Sequence, residues 1–252
     1  MNLADDPELM ALMVNAGFDT VFVGIETPSD EALAFCGKKQ NLGRDLIADV
    51  KRMQRAGLEV QGGFIVGFDT DTPNVFQRQV DFIQRSGIAT AMVGLLQAIP
   101  GTRLHRRLEE QGRLRGQCTG DNVDGTSNIA PLMDPQTLRR GYERVLQGIY
   151  SPRPYYRRAR TFLREYHASG RRTRIGRAEA VAFLRSLYWL GLFGRERLQY
   201  WKLLIWTALW RPRLFGDAVS LAIIGHHCRK VCDGVLSRRR AASAVENLSL
   251  QR

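Results

Sequence analysis

Three short segments carry residues that suit the binding of a polar ligand, and each follows an apolar run. They are residues 24–27, with Gly24 and Glu26, residues 63–69, with Gly63, Ile65 and Gly67, and residues 99–102, with Pro100 and Gly101. Glycine lets a ligand approach the backbone, and a carboxylate accepts hydrogen bonds from hydroxyls or an amine. A turn before a helix leaves N–H groups free for an anion. Each segment also has a structural explanation: helix capping by Glu26, close helix–strand packing at the glycines, and ordinary turn chemistry at Pro100.

The elements that position these segments alternate between two periodicities. Short apolar runs rich in branched residues predict buried strands at 21–25, 60–68 and 90–96. Apolar residues at helical spacing predict helices at 7–16, 42–56, 73–86 and 102–112. This order is typical of right-handed βαβ units and a parallel sheet, in which ligands bind beyond the carboxyl ends of the strands. Three strands are too few to close a barrel.

The second half of the chain has a different pattern. Residues 113–135 are rich in Gly, Asp, Asn, Thr and Ser, which predicts a loop. Helices are predicted after it at 135–150, 153–168, 177–193, 195–210 and 212–235. We therefore divide the chain into an α/β part at 1–115, a linker at 116–135, an all-helical domain at 136–236 and a flexible basic and polar tail at 237–252.

Charge is distributed unevenly between these parts. The net charge of +12 combines 37 Lys and Arg with 25 Asp and Glu. Residues 1–133 contain 13 basic and 17 acidic residues, and residues 134–252 contain 24 and 8, so the balances are −4 and +16. This asymmetry indicates two regions with different roles.

All four tryptophans lie in the basic half, at positions 189, 201, 206 and 210, and they alternate with arginines and a lysine. The interpretation we favour is that these aromatic residues pack the helices on one another, with the cations in solvent. Basic helices with an aromatic face can also rest on an anionic membrane surface or bind RNA. Of these two, we place peripheral membrane contact ahead of nucleic acid, which we do not expect as a partner.

The four cysteines, Cys36, Cys118, Cys228 and Cys232, are scattered, which argues against a disulfide framework. Cys228 and Cys232 are one helical turn apart and are interpreted as small buried helix residues. Two thiolates cannot hold an iron–sulfur cluster or a structural zinc alone. The adjacent His226 and His227 point in different directions on a helix, so we predict no metal site.

The 44% hydrophobic content supports a buried core rather than disorder. The first residues lack the basic start and apolar run of a secretory signal. The longest apolar stretch near the C-terminus, residues 203–210, is far shorter than the roughly 18 residues of a membrane span. These features predict a cytoplasmic location, compatible with contact at a membrane surface.

As an ordered set, the motifs resemble radical S-adenosylmethionine (SAM) proteins of the type that has a cobalamin-binding domain. The resemblance rests on residues 2–9 and 21–29, the run 37–41 (GKKQN), the strand 63–67 (GFIVG), which is similar to the family's G-x-I-x-G, and the turn at 98–104. Residues 211–215 and 224–231 are similar to the helical extension of one subgroup.

The resemblance implies a partial (β/α) barrel, whose N-terminal strands are missing here, followed by an all-helical C-terminal domain. It also implies SAM, a 4Fe–4S cluster and, in the full-length family, cobalamin as cofactors. By motif match, Gly24 and Glu26 lie near the ribose or methionine of SAM, and Gly63, Ile65 and Gly67 near its adenine. Pro100 and Gly101 belong to the family's sixth-strand turn and are assigned to the same cofactor site.

Two departures from the family pattern bear on activity. Thr70 occupies the place of an acidic residue in the longer strand motif, between Asp69 and Asp71. More importantly, the cluster-binding sequence C-x-x-x-C-x-x-C does not occur in the chain. Without three thiolates no cluster can reduce SAM, so we expect this chain alone to be inactive.

Three hypotheses about function follow. The leading one is a fragment of a radical SAM enzyme, of the kind that transfers a methyl group with the help of cobalamin, acting on an unidentified small-molecule or lipid-like substrate. The alternative is a non-catalytic adaptor that binds a membrane surface or RNA through its basic aromatic helices. The third is an unrelated α/β metabolic enzyme that uses the same strand-end loops without iron or SAM.

Overall fold

A computed structural model describes residues 1–121, 124–168 and 176–249, with side chains described as far as Ser237. The first half contains three strands, β1 (Thr20–Glu26), β2 (Glu59–Val66) and β3 (Ala91–Leu95). Its helices are α1 (Pro7–Ala16), α2 (Asp30–Phe35), α3 (Leu46–Arg55), α4 (Val75–Ser86) and α5 (Arg103–Glu110). Short 3-10 turns, Asn2–Asp5 and Lys39–Asn41, precede α1 and α3.

The three strands form a parallel sheet in the order β1-β2-β3. Burial alternates strictly along β2, where Val60, Gly62, Phe64 and Val66 are buried and the residues between them are half-exposed. On the buried side, the ring of Phe64 meets the ring of Phe82 from α4 edge to face, with centroids 5.9 Å apart. The helices therefore cover one face of the sheet. The expected α/β class with a small parallel sheet is confirmed.

The second half is helical throughout the part that the structure describes, apart from an isolated bridge between Leu114 and Ile129 in the preceding loop. The helices are α6 (Pro135–Tyr150), α7 (Pro152–Glu165), α8 (Arg177–Ser186), a π-helix (Leu187–Leu192), α9 (Arg197–Trp210), a 3-10 turn (Pro212–Leu214) and α10 (Phe215–Ser249). None of the described helices is long and apolar enough to cross a lipid bilayer.

Helix α6 packs directly against the sheet. The Tyr142 hydroxyl donates to the carbonyl of Val93, and the Tyr150 hydroxyl donates to the carbonyl of Ala91 at 2.8 Å. The same Tyr150 oxygen accepts the N–H of Ala91 at 3.1 Å. One continuous hydrophobic core extends from residue 4 to residue 236. The helices after the predicted linker therefore complete the core of the sheet half.

Local chemistry explains most element boundaries. The carboxylates of Asp45 and Asp134 accept backbone N–H groups at the starts of α3 and α6, as N-caps do. The predicted helix at 42–56 therefore begins only at Leu46. The predicted helix at 177–193 is divided into α8 and the π-helix. The backbone of α10 is helical up to Ser249, through most of the segment predicted as a flexible tail, and the Arg and Ala residues there favour helix.

Candidate functional site

Two of the predicted site glycines lie side by side at the carboxyl-terminal part of the sheet. Gly24 pairs with Gly63 across β1 and β2, and Gly63 pairs with Met92 of β3. On this face, opposite the helices, Phe22 and Met92 expose 60% and 38% of their surface. This face is not covered by helices, and the backbone of Gly24 and Gly63 is half-buried beneath neighbouring side chains.

Glu26 ends β1 in a strained conformation. Among the described residues, it alone has a side chain and a positive φ, of 68°. The register with β2 shifts between Gly24 and Glu26, as at a β-bulge. A left-handed conformation at a residue other than glycine costs about 1–3 kcal/mol and persists only where surrounding structure holds it. Here the shift aims the carboxylate back over Gly24.

The Glu26 carboxylate forms an ion pair with Lys38, with 2.8 Å between Oε1 and Nζ. Lys38 comes from the short run that follows α2, and Asn41 of the same run donates to the carbonyl of Gly24 at 3.5 Å. Both charged side chains stay partly exposed, at 16% for Glu26 and 33% for Lys38. A polar ligand can therefore reach the pair from the open side.

Neighbouring side chains lie close to the backbone of both glycines. A Cβ at Gly24 would lie 2.8 Å from Oε1 of Glu26. A Cβ at Gly63 would lie 2.9 Å from the ring of Phe22. The Phe22 ring therefore lies close to the backbone of Gly63. Ile65 is half-buried further along β2 and packs against a small cluster that includes Phe68 and Leu96.

The turn after β2 is held by an aspartate that sequence reasoning did not assign. Oδ2 of Asp71 accepts the N–H groups of Gly67 and Phe68, at 2.8 and 3.0 Å. Burial raises the pKa of Asp71, and these two hydrogen bonds oppose the rise. Gly67 has a φ of 100°, which glycine adopts without strain. The Thr70 hydroxyl is buried with no hydrogen-bond partner in the described part of the molecule.

Asp69, on the other side of Thr70, has a structural role. Its carboxylate receives two hydrogen bonds from Arg113, the shorter 2.6 Å, and one of 3.3 Å from Arg107. Arg113 follows α5, so this cluster ties the turn after β2 to the element after β3. The carboxylate is fully engaged in protein contacts.

Pro100 and Gly101 form an exposed turn between β3 and α5. Gly101 has a φ of 82°, and a Cβ added there would meet nothing within 4 Å. Thr102 caps α5, because its hydroxyl accepts the N–H of His105. Glu26 and Gly101 both follow the carboxyl ends of strands, but no hydrogen bond or ion pair joins them within the described ranges.

Asn128 could not be assigned a role from the sequence, because it lies in a stretch whose composition predicts only a loop. Its buried amide accepts the N–H of Ala98 at 2.8 Å and donates to the carbonyl of the same residue at 2.9 Å. The side-chain amide of Asn128 thereby forms the same pair of hydrogen bonds with the backbone of Ala98 that a neighbouring strand would form. Lys38 carried a clearer signal, because it stands in the GKKQN run.

The cysteines do not assemble a metal site. Over residues 1–121, 124–168 and 176–249, no group of three or more His, Cys, Asp or Glu side chains is arranged to hold a metal ion. Cys228 and Cys232 face the core between α6 and α10, and burial raises the pKa of Cys232 to about 12. His226 is engaged by Glu196, with 2.7 Å between Nδ1 and Oε1. A 4Fe–4S cluster therefore does not fit the residues of this chain.

Comparison with known proteins shows which proteins this chain is similar to. Residues 102–241 match the family described as "Domain of unknown function (DUF4070)". The chain is 31% identical over 238 residues to the hopanoid C-2 methylase of Rhodopseudomonas palustris, covering 90% of this chain and 43% of that protein. It is 38% identical over 167 residues to an uncharacterized methyltransferase of Synechocystis sp., covering 65% and 31% respectively.

A third relative is the bacteriochlorophyllide d C-12(1)-methyltransferase of Chlorobaculum tepidum, which is 29% identical over 113 residues, or 45% of this chain and 25% of that protein. The chain thus spans less than half the length of each of these three relatives. The matches confirm the resemblance of the motifs to radical SAM proteins of the cobalamin-binding type.

Proposed function

Because this chain belongs to the DUF4070 family, which is found in cobalamin-binding radical SAM methyltransferases, we propose that its sheet supplies part of a SAM-binding site. The observation that carries the proposal is the strained Glu26, whose carboxylate lies over Gly24, the residue that pairs with Gly63 on the open face of the sheet. Strained residues of this kind cluster at active sites and ligand-binding sites.

The residues present fit parts of SAM. The carboxylate of Glu26 is a hydrogen-bond acceptor for ribose hydroxyls or for the methionine ammonium group. The backbone at Gly63 already accommodates the planar ring of Phe22, so a flat ring such as adenine has the room it needs after Phe22 turns aside. Ile65 offers an apolar side chain on the same strand. Gly67, Pro100 and Gly101 would line the edge of the same site.

The architecture supports a partial (β/α) barrel as the frame of this site. Three parallel strands have helices on one face, and the other face, which would be the barrel interior, carries the glycines. In barrels of this class, ligands bind at the carboxyl ends of the strands. Glu26 and the turns at residues 67–71 and 99–102 are at those ends.

Bound SAM supplies a methyl group or, with a reduced cluster, an adenosyl radical. We propose that this chain alone binds SAM without cleaving it, because its cysteines do not provide three cluster ligands. The roles left to its own residues are to hold the cofactor, to orient it through Glu26, and to shield it with Phe22. The names of the relatives favour methyl transfer as the reaction class of the whole protein, with iron–sulfur and cobalamin groups bound by other residues.

SAM binding by the full 252-residue chain tests this proposal. Equilibrium dialysis with radiolabelled SAM should show saturable binding, weakened about 10- to 100-fold by Glu26→Gln, because a hydrogen bond to a charged group contributes about 1.5–3 kcal/mol. Glu31→Gln, at an exposed position of α2, is the matched control and should bind as the wild type does. Equal binding by Glu26→Gln, or no saturable binding, would refute the assignment of the site.

A separate measurement tests the proposed lack of cleavage. After reconstitution with iron and sulfide under reducing conditions, the chain should show no stable 4Fe–4S absorption and release no 5′-deoxyadenosine. A stable cluster with SAM turnover contradicts this part of the proposal and leaves the assignment of Glu26 intact.

A further inference from the structure

Helix α9 is apolar on two opposite sides. Its buried side consists of Tyr200, Leu203, Leu204 and Thr207. Four more apolar residues follow helical spacing on the other side, with exposed fractions between 40% and 73%: Leu198, Trp201, Ile205 and Leu209. A helix of a globular protein normally presents polar residues to water. The exposed apolar side of α9 is therefore a candidate surface for binding a partner outside the core.

This exposed side continues onto the neighbouring π-helix. The indole N–H of Trp201 donates to the carbonyl of Gly191 at 3.0 Å, and a Cβ at Gly191 would lie 3.3 Å from the Trp201 ring. Around Gly191, four large side chains expose between 50% and 66% of their surface: Tyr188, Trp189, Leu192 and Phe193. We call these four residues and the four exposed residues of α9 the aromatic surface.

An apolar groove adjoins the aromatic surface. It has a volume of about 960 Å³ and lies between α8, the π-helix and α10. Trp189 and Phe193 belong to both the groove and the aromatic surface, and Val181 and Ile223 extend the lining. Arg185 and Lys230 also line it, so the groove is apolar with cations beside it.

The charge around the aromatic surface is predominantly positive. Residues 177–214 contain seven Lys and Arg and two Glu. Glu179 accepts the N–H of Gly176, and Glu196 is buried between His226 and Arg229. The exposed Arg195, Arg197 and Lys202 make no ion pair within the described part of the chain. A second copy of this cationic surface would be repelled.

We propose that the aromatic surface docks the protein on a bilayer that contains anionic phospholipid. Trp, Leu and Ile side chains next to Lys and Arg are the composition that binds the boundary between headgroups and acyl chains. Each cation near such a surface adds to the attraction. The exposed aliphatic residues Leu198, Ile205 and Leu209 favour a bilayer over RNA, because, unlike the aromatic members of the surface, they offer no stacking platform for bases. This inference does not rest on SAM binding.

Flotation of the full chain with vesicles tests the inference. Vesicles of phosphatidylcholine with one quarter phosphatidylglycerol should bind the chain at least tenfold more tightly than phosphatidylcholine alone. The double variant Arg197→Glu with Lys202→Glu should lose about thirtyfold or more of this binding. The double variant Ile205→Asn with Leu209→Asn should lose about tenfold or more, because both side chains would leave the acyl region.

Matched controls use exposed residues of the sheet half. Arg103→Glu with Arg106→Glu on α5, and Leu9→Asn with Leu12→Asn on α1, should bind vesicles as the wild type does. Circular dichroism verifies that all four double variants are folded. The inference is overturned if the chain binds neutral and anionic vesicles equally, or if the test and control variants lose the same amount of vesicle binding. Gel shift of an RNA oligonucleotide without vesicle binding, or dimerisation through α9, also overturns it.

Discussion

Glu59 is expected to make folding stability depend on pH near neutrality. It begins β2 at the end of the sheet away from the candidate site, and its Oε1 atom is buried with no hydrogen-bond partner in the described residues. Burial, together with the negative charges of Asp217 and Asp19, raises the pKa of Glu59 from 4.5 to about 7. Within the described part of the chain, no cation is among the groups that shift its pKa.

The sign and size of the effect follow from that shift. The folded state binds the Glu59 proton more tightly than the unfolded state does. The contribution of this proton to folding stability is therefore fully present below pH 4.5 and is lost as the pH rises through 7. Each pKa unit corresponds to about 1.4 kcal/mol, which gives a loss of about 3 kcal/mol from this group at alkaline pH. Glu59→Gln keeps the shape of the protonated acid and removes the titration.

Urea unfolding of the wild type and of Glu59→Gln between pH 4.5 and 8.5 measures the effect. The variant should be about as stable as the wild type at pH 4.5 and about 3 kcal/mol more stable at pH 8.5. Subtracting the two curves cancels the groups that do not interact with Glu59, whereas Asp217 and Asp19, whose charges act on Glu59, titrate together with it and are part of the measured difference. Glu110→Gln, exposed in the last turn of α5, should give a constant difference. Parallel curves for the wild type and Glu59→Gln would falsify the account of Glu59.

Two further predictions concern the packing of the helical half, and both are measured by urea unfolding. A Cβ at Gly225 would overlap the buried ring of Tyr155, so Gly225→Ala should destabilise the protein by about 1–3 kcal/mol. In the same helix, a Cβ at Gly234 has no neighbour within 4 Å, so Gly234→Ala should stabilise the protein by about 0.5–1 kcal/mol. Equal changes in stability for the two variants would contradict the close packing of Gly225 on Tyr155. Arg158→Met should lower the free energy of unfolding by about 2–4 kcal/mol, because the buried carbonyl oxygens of Ile149 and Ala89 lose their hydrogen-bond donor. An unchanged urea midpoint would show that these oxygens find another donor.

The positions of the strands and most helices could be predicted from the sequence, because burial imposes periodicity. The run at 21–25 is apolar and branched, and β1 indeed contains it within Thr20–Glu26. The six-residue α2 could not be found in this way, because one and a half turns are too short for a helical repeat to be recognised. The π-helix was missed for another reason: its residues have the same apolar pattern as an α-helix, and the contact of Gly191 with Trp201 is visible only after folding.

The candidate site was also only partly predictable from the sequence. Gly24, Glu26 and Gly63 could be named because they stand at strand ends in a recognisable motif. The unusual φ of Glu26 could not, since nothing in the sequence around it specifies a bulge. Asn128 escaped detection because its partner, the backbone of Ala98, lies 30 residues away. Such long-range pairing of a side-chain amide with a strand end leaves no local signature.

A chain of polar contacts connects the aromatic surface to the sheet that carries the candidate SAM site. Arg211, which ends α9, donates to the carbonyls of Arg164 and Tyr166 at 2.8 and 2.7 Å. Glu165, between these two residues, binds Lys51 and Arg55 of α3 at 3.1 and 2.6 Å. Helix α3 packs beneath the sheet that carries Glu26. If α9 docks on a bilayer as proposed, these contacts set the orientation of the sheet relative to the bilayer and therefore the side from which SAM would reach Glu26.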